Sequence, residues 1–407
     1  MVNIRKIHFY LPILFVVFSN AFGQKYDLLI KGGHVIDPAN GIDKVMDVAV
    51  SKGIISKVAA KINEPAAKII EAKGLYVTPG FIDMHTHVFV GPDAGTFANG
   101  VNSVSADDFT FRSGVTTVVD AGTSGWRSFP LFKKQVIDQS KTRILAFINI
   151  AGDGMTGAEH EQNIADMVPD SALKIINQHS GTIVGIKIGH YNGADWTPFD
   201  NAVKLARQVE KPLFVECHLP QYSLQDQLER LSPGDMITHT FENIKERMPI
   251  IGEDGKVRPF VFEAKKRGVL FDLGHGGAGF WFDQAIPAVK QGFAPNSFGT
   301  DLHRFSMNSA MKDMTNVMSK FMALGLALKD VVQIATWNAA QGINHEELGN
   351  IKVGNVADLA IFKVSEGTFG FTDSGGNTIP GSRKVEMEMT VRDGKIVWDL
   401  NGLGAKK

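Results

Sequence analysis

The chain has 407 residues, of which 44% are hydrophobic, and 42 basic against 43 acidic residues give a net charge of -1. This is enough apolar material for one large core, or for a large domain with a small companion. The near-neutral balance argues against a nucleic-acid partner. The single cysteine, Cys217, excludes an intrachain disulfide.

The first residues differ from the rest of the chain. Arg5 and Lys6 precede a mostly apolar run over residues 9–22 that ends in small residues. This pattern predicts a secretory signal peptide over residues 1–23, cleaved after Gly23. The alternative is an uncleaved membrane anchor, but the run is short for a span of about 20 residues. We therefore expect a secreted, periplasmic protein with no membrane role after cleavage.

The middle of the chain differs in pattern from its two ends. Residues 24–78 and 346–407 read as short strands and turns, each too small for a core, and together predict a composite β-sandwich domain. Residues 79–345 alternate apolar strands with helices, which predicts an α/β fold built on a (β/α)8 TIM barrel. The eight strand candidates are FIDMHTH, VTTVVDAG, RILAFINIAG, IVGIKIGH, PLFVECHL, MITHTF, VLFDLGHG and SFGTDLH.

Polar residues stand at the C-terminal ends of these strands, where barrel enzymes keep their chemistry. His85 and His87 are two residues apart on the first strand, so their side chains share a face. One histidine at a strand end is usually structural, but that explanation would have to hold independently on several strands. Imidazole and carboxylate groups are common metal ligands. The pattern predicts a metal site that also includes His218, His239 and Asp301.

A lysine in the fourth strand, TIVGIKIGH, needs a separate explanation. Lys187 lies between Ile186 and Ile188, in a stretch that otherwise reads as buried. Side-chain alternation would let it face solvent, and an edge-strand lysine would discourage aggregation. Both explanations stay open from this stretch alone.

The ordered set of PGFIDMHTH, Lys187, His218, His239 and Asp301 resembles the amidohydrolase superfamily over essentially the whole mature chain. The stretch LGNIKVGNVADLAIF is similar to a segment of that superfamily's companion sandwich. The resemblance implies two divalent metal ions, with Zn²⁺ as the expected metal. His85, His87 and Asp301 would bind one ion, and His218 and His239 the other. Lys187, carboxylated by CO₂, would bridge both together with a hydroxide.

The resemblance also implies a reaction. The metal-bridging hydroxide would attack a substrate carbonyl, and Asp301 would be the catalytic residue that carries the proton to the leaving group. The stretches HTHVFVG, GIKIGH and FDLGHGGAGF are similar to the amidohydrolase/deacetylase branch. The expected reaction is hydrolysis of a small acyl ester or amide, such as an acetylated α-hydroxy or amino acid.

Three alternatives remain beside this hypothesis. Phe89 stands where dihydroorotases carry a substrate-binding arginine, which argues against a true dihydroorotase. A different cyclic amidase or an N-acyl-D-amino-acid deacylase remains open. A metal-free binding protein on the same fold is the alternative outside enzymes.

Several further residues are substrate-binding candidates from their position beside the predicted ligands, although support of the ligands is an equally good explanation. They are His190, Tyr191, His275, Gly276 and His303. The expected partner is a small-molecule substrate, with a homo-oligomer left open.

Overall fold

The computed structural model describes residues 25–90, 102–156, 159–216, 221–245 and 247–405. The predicted signal peptide and His218 lie outside these residues. The strands are β1 (Tyr26–Asp37), β2 (Ile42–Ser51), β3 (Ile54–Ala59), β4 (Ala66–Glu71), β5 (Tyr76–Pro79), β6 (Phe81–Thr86), β7 (Val115–Gly125), β8 (Arg143–Asn149), β9 (Ile183–Gly189), β10 (Leu213–Glu216), β11 (Met236–Ile237), β12 (Leu270–Phe271), β13 (Leu359–Thr372), β14 (Thr378–Arg392) and β15 (Lys395–Asp399). The α-helices are α1 (Phe129–Phe132), α2 (Pro169–Gln178), α3 (Thr197–Gln208), α4 (Leu224–Arg230), α5 (Pro259–Arg267), α6 (Phe282–Lys290), α7 (Met314–Ala323), α8 (Leu328–Gln333) and α9 (Ala339–Gly342).

Strands β6 to β12 form a parallel seven-stranded sheet in chain order, with helices between successive strands. Seven of the predicted barrel strands are therefore present. All seven residues of β9 are buried, as expected for a strand covered on both faces in a parallel sheet. The arrangement is a barrel-like α/β fold whose strand ends all point the same way.

The eighth predicted strand, SFGTDLH, is present only as isolated bridges. Ser297 pairs with Asp272 beyond β12, and Leu302 pairs with Thr86 at the end of β6, both in parallel. The segment therefore joins the two edges of the sheet. Asp301 has φ of 50°, a left-handed conformation that interrupts a regular ladder. The prediction of a continuous strand was wrong, but the position of the segment was right.

The terminal segments meet in one mixed sheet. Eight strands pair in the order β15-β14-β13-β5-β1-β2-β3, with β4 added beside β1. The sheet is composite, since both chain ends contribute strands. Its strand pairing is continuous, so a second sheet packed against it as a sandwich stays a prediction. The chain passes between the two sheets where β5 ends at Pro79 and β6 begins at Phe81; the predicted domain boundaries themselves remain predictions.

A layer of buried apolar side chains lies beneath the carboxyl ends of the barrel strands. The rings of Phe147 and Phe214 lie 4.7 Å apart within a buried cluster to which β6 through β11 all contribute. His85 meets Phe214 edge to face, with ring centroids 5.3 Å apart. Polar groups that lie against this apolar layer are therefore shielded from water on one side, which strengthens their electrostatic interactions. Over the residues that the structure describes, no helix has the length and apolar character to cross a membrane.

Candidate metal centre

The orientation of the His85 ring is fixed by a chain of hydrogen bonds. Thr238 Oγ1 donates to Asp272 Oδ2 at 2.7 Å, so it accepts from His85 Nδ1 at 3.0 Å. Burial lowers the pKa of His85 to about 4, so the ring is neutral at pH 7 and its Nε2 carries a lone pair. That buried Nε2 has no hydrogen-bond partner among the described residues. It lies 3.6 Å from Asp301 Oδ1 and 3.7 Å from Glu216 Oε2.

His87 is oriented in the same way from the neighbouring strand. Thr123 Oγ1 donates to Asp120 Oδ2 at 2.7 Å and accepts from His87 Nδ1 at 3.0 Å. With Nδ1 as the donor to Thr123, the ring turns its Nε2 toward Asp301 Oδ1, 3.2 Å away. A lone pair and a carboxylate oxygen repel each other unless a cation or a proton lies between them. Outer partners that fix a tautomer in this way are typical of metal-ligating histidines.

His239 repeats the pattern with a backbone partner. Its Nδ1 donates to the Gly274 carbonyl at 2.6 Å, and its Nε2 lies 2.8 Å from Glu216 Oε1. Although burial lowers the pKa of His239, the Glu216 carboxylate outweighs that effect and raises the pKa to about 9. Its backbone has φ of 57°, which costs a non-glycine residue about 1–2 kcal/mol. The backbone of His239 is therefore strained, and its ring lies opposite the Glu216 carboxylate.

Lys187 is fully buried, so the solvent-facing explanation is wrong. Its Nζ contacts Glu216 Oε2 and lies 5.0 Å from the centre of the Phe214 ring. Burial would raise the pKa of Glu216, but the charges of Lys187, His190 and His239 outweigh burial and hold the pKa well below its usual range. Glu216 is therefore ionised.

Sequence reasoning missed Glu216. The signal was available, because Glu216 ends an apolar strand and lies two residues before His218, on the same face of an extended chain. The alternation of side chains along an extended strand should have assigned Glu216 to the barrel interior together with His218.

Asp301 completes the site from the segment that closes the sheet. Its Oδ1 faces His85, His87 and also His303 Nδ1, at 3.3 Å. Burial would raise the pKa of Asp301, but His303 and His85 outweigh it and hold the pKa well below its usual range. A Cβ on Gly276 would lie 2.1 Å from Asp301 Oδ2, so only glycine permits this approach. The Gly276 N–H itself donates to the Thr300 carbonyl at 3.0 Å.

These side chains form two candidate ligand groups that share one histidine. His85, His87 and Asp301 form one group, and His85, Glu216 and His239 form the other, with ligand atoms within 4.8 Å of one another in each. Imidazole nitrogen and carboxylate oxygen suit Zn²⁺, Mn²⁺ or Fe²⁺. The unpartnered Nε2 of His85, set among these nitrogen and carboxylate oxygen atoms, shows that the residues present fit divalent metal ions.

The predicted substrate contacts divide into two kinds. His190 and His303 stay partly exposed at the site, and His190 bridges Glu161 Oε2 at 3.1 Å and Glu216 Oε1 at 3.4 Å. His275 is fully buried and its Nε2 accepts from Lys320 Nζ at 2.7 Å. In the structure this histidine is held by Lys320, and its predicted substrate contact stays a prediction.

Tyr191 is buried in an aromatic cluster, with its ring 6.2 Å from that of Tyr222. No contact found among the described residues joins Tyr191 to either ligand group. The predicted roles of His218 and of the substrate contacts stay predictions.

Gly122 on β7 makes room for Lys187. Its φ is 81°, and an added Cβ would lie 2.4 Å from Lys187 Cγ. We expect Gly122→Ala to lower the free energy of unfolding by about 3 kcal/mol, because left-handed strain and overpacking coincide. The midpoint of urea denaturation measures this. Gly181→Ala is the control, since nothing lies within 4 Å of its added Cβ and its φ is not positive; equal midpoints for both variants would contradict the prediction.

Comparison with known proteins agrees with this geometry. An amidohydrolase family model matches residues 282–397. A deacetylase of Brucella anthropi is 33% identical over 358 residues, covering 86% of this chain and 87% of that protein. A deacetylase of Agrobacterium fabrum is 33% identical over 333 residues, covering 80% of each chain. A crystal structure of an adenine deaminase, 28% identical, superposes with a TM-score of 0.84 over 92% of this chain and all of that one. The chain therefore belongs to the amidohydrolase family and is a metal-dependent hydrolase that acts on C–N bonds.

Proposed function

We propose that the protein is a binuclear hydrolase of the deacetylase type, which cleaves a small acyl ester or amide at this centre. One observation carries the proposal. Three imidazoles whose Nδ1 atoms are committed as donors turn their Nε2 atoms toward two buried carboxylates at the open ends of the barrel strands. For His85, whose buried Nε2 has no hydrogen-bond partner among the described residues, a cation between this nitrogen and the carboxylate oxygens gives the arrangement a physical reason.

Each predicted ligand has a place in this proposal. His85, His87 and Asp301 hold one ion; His239 holds the second together with His218, as the family resemblance implies. Lys187 would also contribute to holding the ions once its Nζ forms an N–C bond with CO₂ and releases a proton, which yields a carboxylated lysine. When bound, the metals, with Zn²⁺ as the expected identity, polarise the substrate carbonyl and activate water.

Asp301 is the residue that moves the proton. Its Oδ1 faces the two histidines of the first strand, whereas Oδ2 lies on the side of Gly276. In this proposal, Oδ2 accepts the proton of the attacking water and delivers it to the leaving nitrogen or oxygen. His303, hydrogen-bonded at 2.7 Å to the Asp301 backbone carbonyl, and the partly exposed His190 orient the substrate.

The relatives named above support a deacetylase rather than a cyclic amidase. Phe89, at the place of the dihydroorotase arginine, is fully buried and stacks on Phe132 with ring centroids 4.6 Å apart. It contributes to the core and has no group for a substrate carboxylate. Export by the leader at residues 1–23 and a periplasmic location are part of the same proposal.

The test is hydrolysis of a defined panel by the metal-loaded protein. The panel holds both enantiomers of O-acetyl α-hydroxy acids and N-acetyl amino acids, with dihydroorotate as the comparison substrate. We expect turnover of one enantiomer of an acetyl compound, lost on metal removal by a chelator and restored by added Zn²⁺. Turnover of dihydroorotate would favour the cyclic amidase. Absence of turnover with about two metal ions bound per chain would remove the deacetylase assignment.

A further inference from the structure

We propose that Glu216 is a metal ligand, which together with His239 holds the ion on the Lys187 side of the centre. The proposal rests on the proposed function, because it requires that the centre binds metal. It assigns a role to a residue that the ligand set implied by the family resemblance does not contain.

The two oxygens of Glu216 face different groups. Oε1 lies 2.8 Å from His239 Nε2 and 3.4 Å from His190 Nε2. Oε2 contacts Lys187 and lies 3.7 Å from the unpartnered Nε2 of His85. A single carboxylate therefore stands between two imidazole nitrogens that both belong to the same candidate ligand group.

The backbone holds Glu216 in this position. It is the last residue of β10 and pairs with Gly189 on β9, which is the strand that carries Lys187. Its carbonyl accepts from the His190 N–H at 3.1 Å, and the side chain is only 6% exposed. A ligand on a buried, paired strand is pre-organised, so little conformational entropy is lost when a metal binds.

A purely structural role accounts for only part of this geometry. Pairing with the Lys187 ammonium would explain the contact at Oε2. It would not explain why His85, 3.7 Å from the same carboxylate, keeps a buried nitrogen without a partner. An ion bound by Glu216 and His239, next to the ion that His85 would bind, gives each of these buried atoms a partner.

The choice of glutamate changes the character of the centre. A carboxylate in the ligand set adds one negative charge beside the carboxylated Lys187 and Asp301. Oxygen ligands suit harder ions better than imidazole does. We therefore expect the centre to accept Mn²⁺ more readily when Glu216 is present than when histidine replaces it.

The experiment measures bound metal per chain, independently of activity. Wild-type protein, Glu216→Gln and Glu216→His are dialysed against buffered Zn²⁺ or Mn²⁺ and analysed by mass spectrometry. We expect Glu216→Gln to lose one ion at a free metal concentration that fills the wild type, with affinity lowered at least about 10- to 100-fold. Glu216→His should regain Zn²⁺, because imidazole is itself a zinc ligand, and should bind Mn²⁺ less well.

Glu161→Gln is the matched control. Glu161 is also buried and also contacts His190, but it belongs to neither ligand group. The same chemical change there should leave the metal content unaltered, and the Co²⁺-substituted proteins should show altered visible absorption only for the Glu216 variants.

The outcomes separate this inference from the proposed function. An active wild type whose metal content matches that of Glu216→Gln would overturn the role of Glu216 and leave the hydrolase standing. A wild type that binds no metal would overturn both. If Glu216→Gln fails to fold, the Zn²⁺ and Mn²⁺ contents of Glu216→His decide, since an unchanged preference between the metals contradicts an oxygen ligand.

Discussion

Lys187→Ala is expected to abolish turnover, with kcat lowered by more than about 100-fold. In the proposed centre, the carboxylated lysine is the bridge between the ions, and alanine supplies no atom to replace it. The variant should also bind one metal ion fewer. Growth in ¹³C-bicarbonate followed by NMR should show a carbamate resonance in the metal-loaded wild type and none in the variant.

Lys320→Ala is the matched control for this prediction. Lys320 is the other fully buried lysine among the residues described here, and its Nζ donates to His275 and, at 2.6 Å, to the Ala310 carbonyl. Its removal should lower stability by about 1–3 kcal/mol, because the His275 nitrogen is left without its donor. The carbamate resonance should persist. An active Lys187→Ala variant with both ions bound would refute the bridging role.

Asp301→Asn is expected to lower kcat by about 10²- to 10⁴-fold while preserving the fold. Asparagine has almost the same shape, but its amide is neutral and does not accept and return a proton as a carboxylate does. It also weakens attraction for a cation beside His85 and His87. Circular dichroism and the urea midpoint check the fold, and steady-state kinetics at saturating metal measures the loss.

Asp153→Asn tests whether any such loss is specific. Asp153 pairs with Arg127 at 2.7 Å on a partly exposed loop, where an ion pair contributes little. Its kcat should stay within about 2-fold of the wild type, which corresponds to less than about 0.5 kcal/mol. Comparable losses in both variants would argue against a proton-carrying role for Asp301.

The sequence predicted most of the barrel because buried parallel strands leave a strong local pattern. The strands that carry His85 and Lys187 are buried along their whole length, and the polar residues that interrupt or end them lie in the candidate metal centre. The closing segment was harder. Gly299 allows the backbone to approach Asp272, because a Cβ at this position would lie 2.4 Å from the carboxylate. Local sequence propensity does not encode such a tertiary contact.

The remaining misses have related causes. Glu216 was overlooked because a glutamate after an apolar run usually marks the return to solvent, and only the packing of His239 and Lys187 shows otherwise. The terminal segments were predicted as short strands and turns without a pairing order, and in the structure β1 pairs in parallel with β4 and β5. Such pairing depends on tertiary contacts that no short window of sequence records.

The segment that carries Asp301 has a consequence for folding. The His87 N–H donates to the Leu302 carbonyl at 2.8 Å, and Thr300 donates to Asp83 across 217 positions of the chain. Such a loop is entropically costly to close, so these contacts form late. A metal ion held by His85, His87 and Asp301 would bind the closed chain and not the open one. Metal binding would then also stabilise the closed barrel, because its free energy holds the first strand and the segment that carries Asp301 together.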